Sequence, residues 1–160
     1  MKITIMKVTK MKTVIQALFA LAIATGISSL AMAQSNPIQP ETTDAVFQEF
    51  GGKVGISKVI DDFLVIWQAD PRISTKLQDA DVERLGFLLK EQVAQLTGGP
   101  VVYTGRDMKK AHSEMGLRNV DFNALAEDLQ LSMEKNGISS RAQNKLLAKL
   151  APMQHDIVSK

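Results

Sequence analysis

The chain has 160 residues, 45% hydrophobic and 22% charged but only 5% aromatic, which predicts one globular domain. Its formal charge of +2 rests on Lys2, Lys7, Lys10 and Lys12; past residue 33 there are 15 basic residues against 17 acidic ones, with no concentrated basic face for nucleic acid. The absence of cysteine excludes a disulfide framework and any thioether attachment through a Cys-x-x-Cys-His motif.

The first 33 residues read as a signal peptide. Lysines lead into an apolar stretch from Val14 to Ile27, and Ala31-Met32-Ala33 supplies a small-x-small cleavage site ahead of Gln34. Thr25, Gly26, Ser28 and Ser29 interrupt the apolar run short of the ~20 residues of a membrane span. The expected mature protein therefore starts near Gln34, is periplasmic or secreted, and has no membrane attachment after cleavage. "MKTVIQALFALA" from Met11 would make a compact leader by itself. Residues 34–45 form a polar linker with two prolines, and the folded domain is expected over 46–158.

From there the pattern is helical. After Gly51-Gly52, the residues Val54, Ile56, Val59, Ile60, Phe63, Leu64 and Trp67 recur at threes and fours and predict one buried face, ended by Asp70-Pro71. Asp81 is placed to cap a second helix with Leu85, Leu88, Leu89, Val93 and Leu96, stopped by Gly98-Gly99-Pro100. Asn119 or Asp121 opens a third, with Phe122, Leu125, Leu129 and Met133, up to Asn136-Gly137. Ser139 or Ser140 caps a fourth, with Leu146, Leu147 and Leu150, before Pro152. No segment alternates as a half-buried strand does, so the class is all-α.

The stretch from Gly98 to Leu117 is too long for a bundle hairpin, where connections run to about 2–8 residues. It holds one short helix, expected over 107–114, and His112 rides on it. That geometry suits something held between the short helix and the long one before it.

Six segments, "FGGKVGI", "DDF", "ADPRI", "LTGGPVVYTGRDMKKAH", "MGLRNVDFNAL" and "LAPMQHDIV", together resemble the group I truncated haemoglobins, short globins built as a two-over-two helical sandwich around haem. The specificity lies in their order and spacing, with the histidine seven residues after the glycine of Tyr-Thr-Gly-Arg. The resemblance implies non-covalent haem b with His112 as the proximal iron ligand, a role that suits a neutral imidazole. It also implies that Tyr103, Thr104 and Lys109 meet the haem edge, where hydroxyl and ammonium donors face the propionates. Phe122 and Leu125 would pack on the porphyrin, with Met108, Met115 and Leu117 as further walls. His155 is expected to be an exposed residue.

On the distal side this sequence departs from those relatives. Where many carry Phe-Tyr on the first helix, it has Phe63-Leu64; where a glutamine commonly faces the ligand, it has Leu89, with Leu85 one turn earlier; and the usual phenylalanine of the intervening turn is Leu77. Gln92, one turn beyond Leu89, is the only nearby polar candidate for the distal side; a solvent or rim contact is the other reading, and the sequence leaves both open. The expected protein is a haem-binding globin that reversibly takes oxygen, carbon monoxide or nitric oxide at a five-coordinate iron under an apolar pocket. Bound dioxygen takes on charge that a hydrogen-bond donor would stabilise, so such a pocket holds it weakly. Nitric oxide dioxygenation is the weaker variant, since it needs an electron donor and the sequence shows no reductase domain. The alternative is an exported helical interaction domain that keeps the globin frame and has lost stable haem.

Overall fold

The computed structural model describes residues 44–160; the expected signal peptide, and all of the linker but its last two residues, lie outside them. Seven α-helices follow in order: α1 Ala45–Glu49, α2 Gly52–Ala69, α3 Val82–Leu96, α4 Met108–His112, α5 Asn119–Lys135, α6 Ser140–Leu150 and α7 Gln154–Ile157, with 3-10 turns at Ser74–Leu77 and Ala151–Met153. No strand occurs among the described residues. The fold is the two-over-two helical sandwich: α2 and α3 form one layer, α5 and α6 the other, and α2 packs on α5.

Local chemistry sets most helix ends. The Asp81 carboxylate accepts from Arg84 N at 2.9 Å to start α3, and Ser139 Oγ accepts from Ala142 N at 3.2 Å to start α6. At α5 the N-cap is Arg118, and Asp121 reaches back to Arg118 N at 2.9 Å in a capping-box arrangement. The chain does not stop before Pro152. That residue lies in the first positions of the 3-10 turn, where its missing N–H costs no hydrogen bond, and the chain continues into α7.

The core centres on α2, whose buried residues are Ile56, Val59, Ile60, Phe63, Leu64 and Trp67. Val54 does not join them: it is 69% exposed, because two residues along a helix turn roughly 200° from Ile56. Facing this row are Ala124, Leu129 and Met133 of α5 and Ala142 and Leu146 of α6, all buried. Ser132 Oγ donates to Val59 O at 2.5 Å, tying α5 to α2, and Trp67 Nε1 donates to Ile73 O at 3.0 Å, closing the turn beneath α2. Helix α1 had no counterpart in the periodicity; it buries Phe47 and, just beyond its end, Phe50. Gly55 lets this segment approach, since a Cβ there would stand 1.8 Å from Phe50 O.

Between α2 and α5 lies a carboxyl cluster. Arg72 bridges Asp70 at 2.7 Å and Glu127 at 2.6 Å, and is 3.8 Å from the fully buried Asp128. Burial first, and then the nearby Asp70, push the Asp128 carboxyl up, while hydrogen bonds from Arg72 hold Asp70 below the usual carboxylate range. The buried Asp128 Oδ2 has no hydrogen-bond partner among the described residues, which fits the upward direction of its pKa.

Candidate functional site

The loop after α3 leaves through Gly98, whose φ of 91° lies in the left-handed region that glycine accepts without strain. Two side chains of α3, one turn apart, then hold it. Glu91 Oε2 accepts from Thr104 N at 2.9 Å and from Thr104 Oγ1 at 2.6 Å, and Gln95 Oε1 accepts from Tyr103 N at 2.6 Å. These bonds from Thr104 hold the Glu91 carboxyl below its usual range. Tyr103 folds over Gly105, where a Cβ would stand 2.1 Å from its oxygen, and its hydroxyl donates to Arg106 O at 3.0 Å. Burial raises that phenol's pKa. Both hydroxyls expected to face propionates are thus spent inside the protein. Of the three expected edge donors, Lys109 alone is free; it is exposed and makes no ion pair among the described residues.

Asp107 caps α4 by accepting from Lys110 N at 2.9 Å, so the helix itself starts at Met108, one residue later than expected. It ends at His112, ahead of a left-handed Gly116 with φ 56°. His112 is half-buried, and its Nδ1 is 2.8 Å from Met108 O. A carbonyl oxygen can only accept, so Nδ1 carries the proton and donates. Nε2 is left with its lone pair and no hydrogen-bond partner among the described residues, the arrangement of a metal-ligating imidazole fixed by a backbone carbonyl.

The apolar residues expected to wall the haem range from buried to partly exposed. Leu64 is buried, with Cδ1 3.0 Å from where a Gly86 Cβ would stand, so glycine lets α2 and α3 close on each other. Leu85 and Leu89, at i and i+4 on α3, are half-buried against the core cluster, as is Leu125 of α5. Met108 and Phe122 are half-buried, Met115 is 38% exposed, Leu117 is buried, and Leu77 is buried in its 3-10 turn. Gln92 is partly exposed, and its amide donates to Met108 Sδ at 3.4 Å and to Met153 Sδ at 3.7 Å. With Gln95, Leu96, Tyr103 and Asp107 these side chains line a cleft of about 170 Å³ between α3 and α4. His155 is exposed, as expected, and lines a separate open depression beside Asn119, Gln154 and Val158.

These residues suit a flat apolar group with a metal at its centre. Leu85, Leu89, Met108, Phe122 and Leu125, on α3, α4 and α5, each leave part of their apolar surface exposed, and a flat apolar group can cover it. His112 Nε2 offers a single nitrogen donor, as suits a metal that brings its own macrocycle. Glu91 and Gln95 went unread in the sequence. Their signal was two polar residues at i and i+4 on the helix preceding an unusually long loop.

Comparison with known proteins agrees with this arrangement. The family model described as bacterial-like globin matches residues 45–159. The group 1 truncated haemoglobin of Tetrahymena pyriformis is 24% identical over 122 residues, covering 76% of this chain and 98% of that protein. The one from Mycolicibacterium paratuberculosis is 27% identical over 115 residues, 72% of this chain and 85% of that protein. Among solved structures, the Fe(III) form of the Tetrahymena pyriformis truncated haemoglobin superposes with a TM-score of 0.69 at 23% identity, covering 72% of this chain and 98% of that one. The 2/2 haemoglobin of Synechococcus, in its cyanomet state with covalently attached haem, gives 0.67 at 21% identity, with coverages of 72% and 98%. With the family match running over nearly all the described residues of an all-helical fold, the chain belongs to the bacterial-like globins.

Proposed function

We propose that this globin binds haem b non-covalently through His112 Nε2 and reversibly takes up a diatomic gas (oxygen, carbon monoxide or nitric oxide) beside an apolar wall of Leu64, Leu85 and Leu89. The observation that carries this reading is the Nδ1 contact to Met108 O, which fixes the tautomer and aims a free lone pair away from the helix backbone. Haem, when bound, supplies the iron at which the gas binds. The protein's part is to orient one imidazole, cover the porphyrin faces and exclude water. Lys109 is the free ammonium suited to a propionate. The three leucines offer no hydrogen-bond donor, and the Gln92 amide is occupied by two thioethers. The pocket therefore favours a weakly polarised gas over one that needs a donor.

Titrating the purified domain with haem tests the reading. One equivalent should give a Soret band with a sharp stoichiometric end point. A featureless titration would leave the interaction-domain alternative standing instead.

We also propose export, on the lysine-led apolar segment ending Ala31-Met32-Ala33. Intact-mass measurement of protein from its native host should give a chain starting near Gln34 in a non-cytoplasmic fraction; a full-length cytoplasmic chain would refute it.

A further inference from the structure

We infer that Glu91 and Gln95 are positioning residues for His112, acting through the loop rather than on the haem; this rests on the haem reading above. Helix α4 buries none of its side chains fully; it packs against α7, and its Met108 Sδ accepts from Gln92 on α3. Its remaining restraint comes from what precedes it, where the loop from Gly98 has no helix or strand until Met108. Within that loop, two consecutive backbone N–H groups, of Tyr103 and Thr104, are fixed to two side chains one turn apart on α3. The Thr104 hydroxyl adds a third bond, to the same carboxylate oxygen that takes the amide. A carboxylate acceptor makes the Thr104 pair charge-assisted and stronger than neutral bonds. The α4 cap, Asp107, is only three positions past Thr104, a reach of at most about 11 Å. The chain of restraint therefore runs from the Glu91 carboxylate through Thr104 and the Asp107 cap to the imidazole one turn further on.

The test compares the unmodified chain with Glu91→Ala, Glu91→Gln and Thr104→Val, each haem-loaded and haem-free. In the haem-free proteins, amide hydrogen exchange across residues 108–113 should speed up about tenfold or more in Glu91→Ala, while α5 keeps its protection. In the loaded proteins, haem transfer to excess apomyoglobin should accelerate by a similar factor. The iron–histidine stretching band of the ferrous protein should shift in Glu91→Ala and return toward its original position in Glu91→Gln, whose amide oxygen still accepts from Thr104. Thr104→Val should resemble Glu91→Gln. Unchanged exchange in α4, or faster haem loss with an unmoved iron–histidine band, would overturn the inference. A chain that takes no haem counts against the preceding section, and the exchange measurement still decides this one.

Discussion

His112→Ala is expected to abolish stoichiometric haem binding, lowering affinity by more than about 100-fold, since even partners one shell out from a metal contribute 10–100-fold. The residual affinity would come from apolar contact with Leu85, Leu89, Phe122 and Leu125. Folding should survive, because His112 lies on a helix with no buried side chain and its one hydrogen bond runs to the backbone of that same helix. Far-ultraviolet circular dichroism and urea midpoints should therefore match the unmodified chain while the Soret band is lost. Free imidazole should restore part of it by supplying the missing nitrogen. A variant with unchanged haem affinity and spectrum would remove His112 from the site.

Leu64→Tyr should slow dioxygen release about tenfold or more, the equivalent of ~1.4 kcal/mol from one new donor, while carbon monoxide release changes far less. The contrast follows from charge: bound dioxygen becomes a better acceptor, and carbon monoxide hardly does. Leu64 is the position to change because it comes from α2 against Gly86, the residue after Leu85 on α3. The larger ring has to find room there, so the holoprotein's thermal midpoint belongs in the same experiment. Gln92→Leu is the control and should change both rates little, since that amide already donates to Met108 and Met153. Slow release in the unmodified protein that turns fast in Gln92→Leu would make Gln92 the donor and the leucine pocket a wrong account.

Helices and some of their caps were legible because they depend on near neighbours: Asp81 and Ser139 each accept from an amide three residues on, whereas Asp107, read as the first residue of α4, is its cap. Periodicity also placed the α2 core, apart from Val54, which the three-four rhythm admits only if its angular offset is ignored. What stayed hidden depends on side chains meeting across the fold. Tyr103 and Thr104 have hydroxyls suited to an anion, yet their direction is decided by Arg106 O and by Glu91, thirteen residues before Thr104. Gln92 stayed open between distal donor and rim contact because nothing local shows that Met153, sixty-one residues later, returns to meet it. Helix α1 was missed since five residues are too few to display a period, and its burial rests on Phe47 meeting Gly99.

The carboxyl pair between α2 and α5 has a consequence for acid tolerance. Asp128 binds its proton more tightly in the folded chain than in the unfolded one, so its contribution to stability is fully present below the ordinary carboxylate pKa of about 3.9 and is lost as pH rises through its folded value. Asp70, lowered by Arg72, has the opposite sign: its contribution is present above about 3.9 and is lost as pH falls through its folded value. Acid therefore withdraws the Asp70–Arg72 attraction while strengthening what Asp128 supplies, and the junction beneath Trp67 loses less in acid than Arg72 and Asp70 alone would.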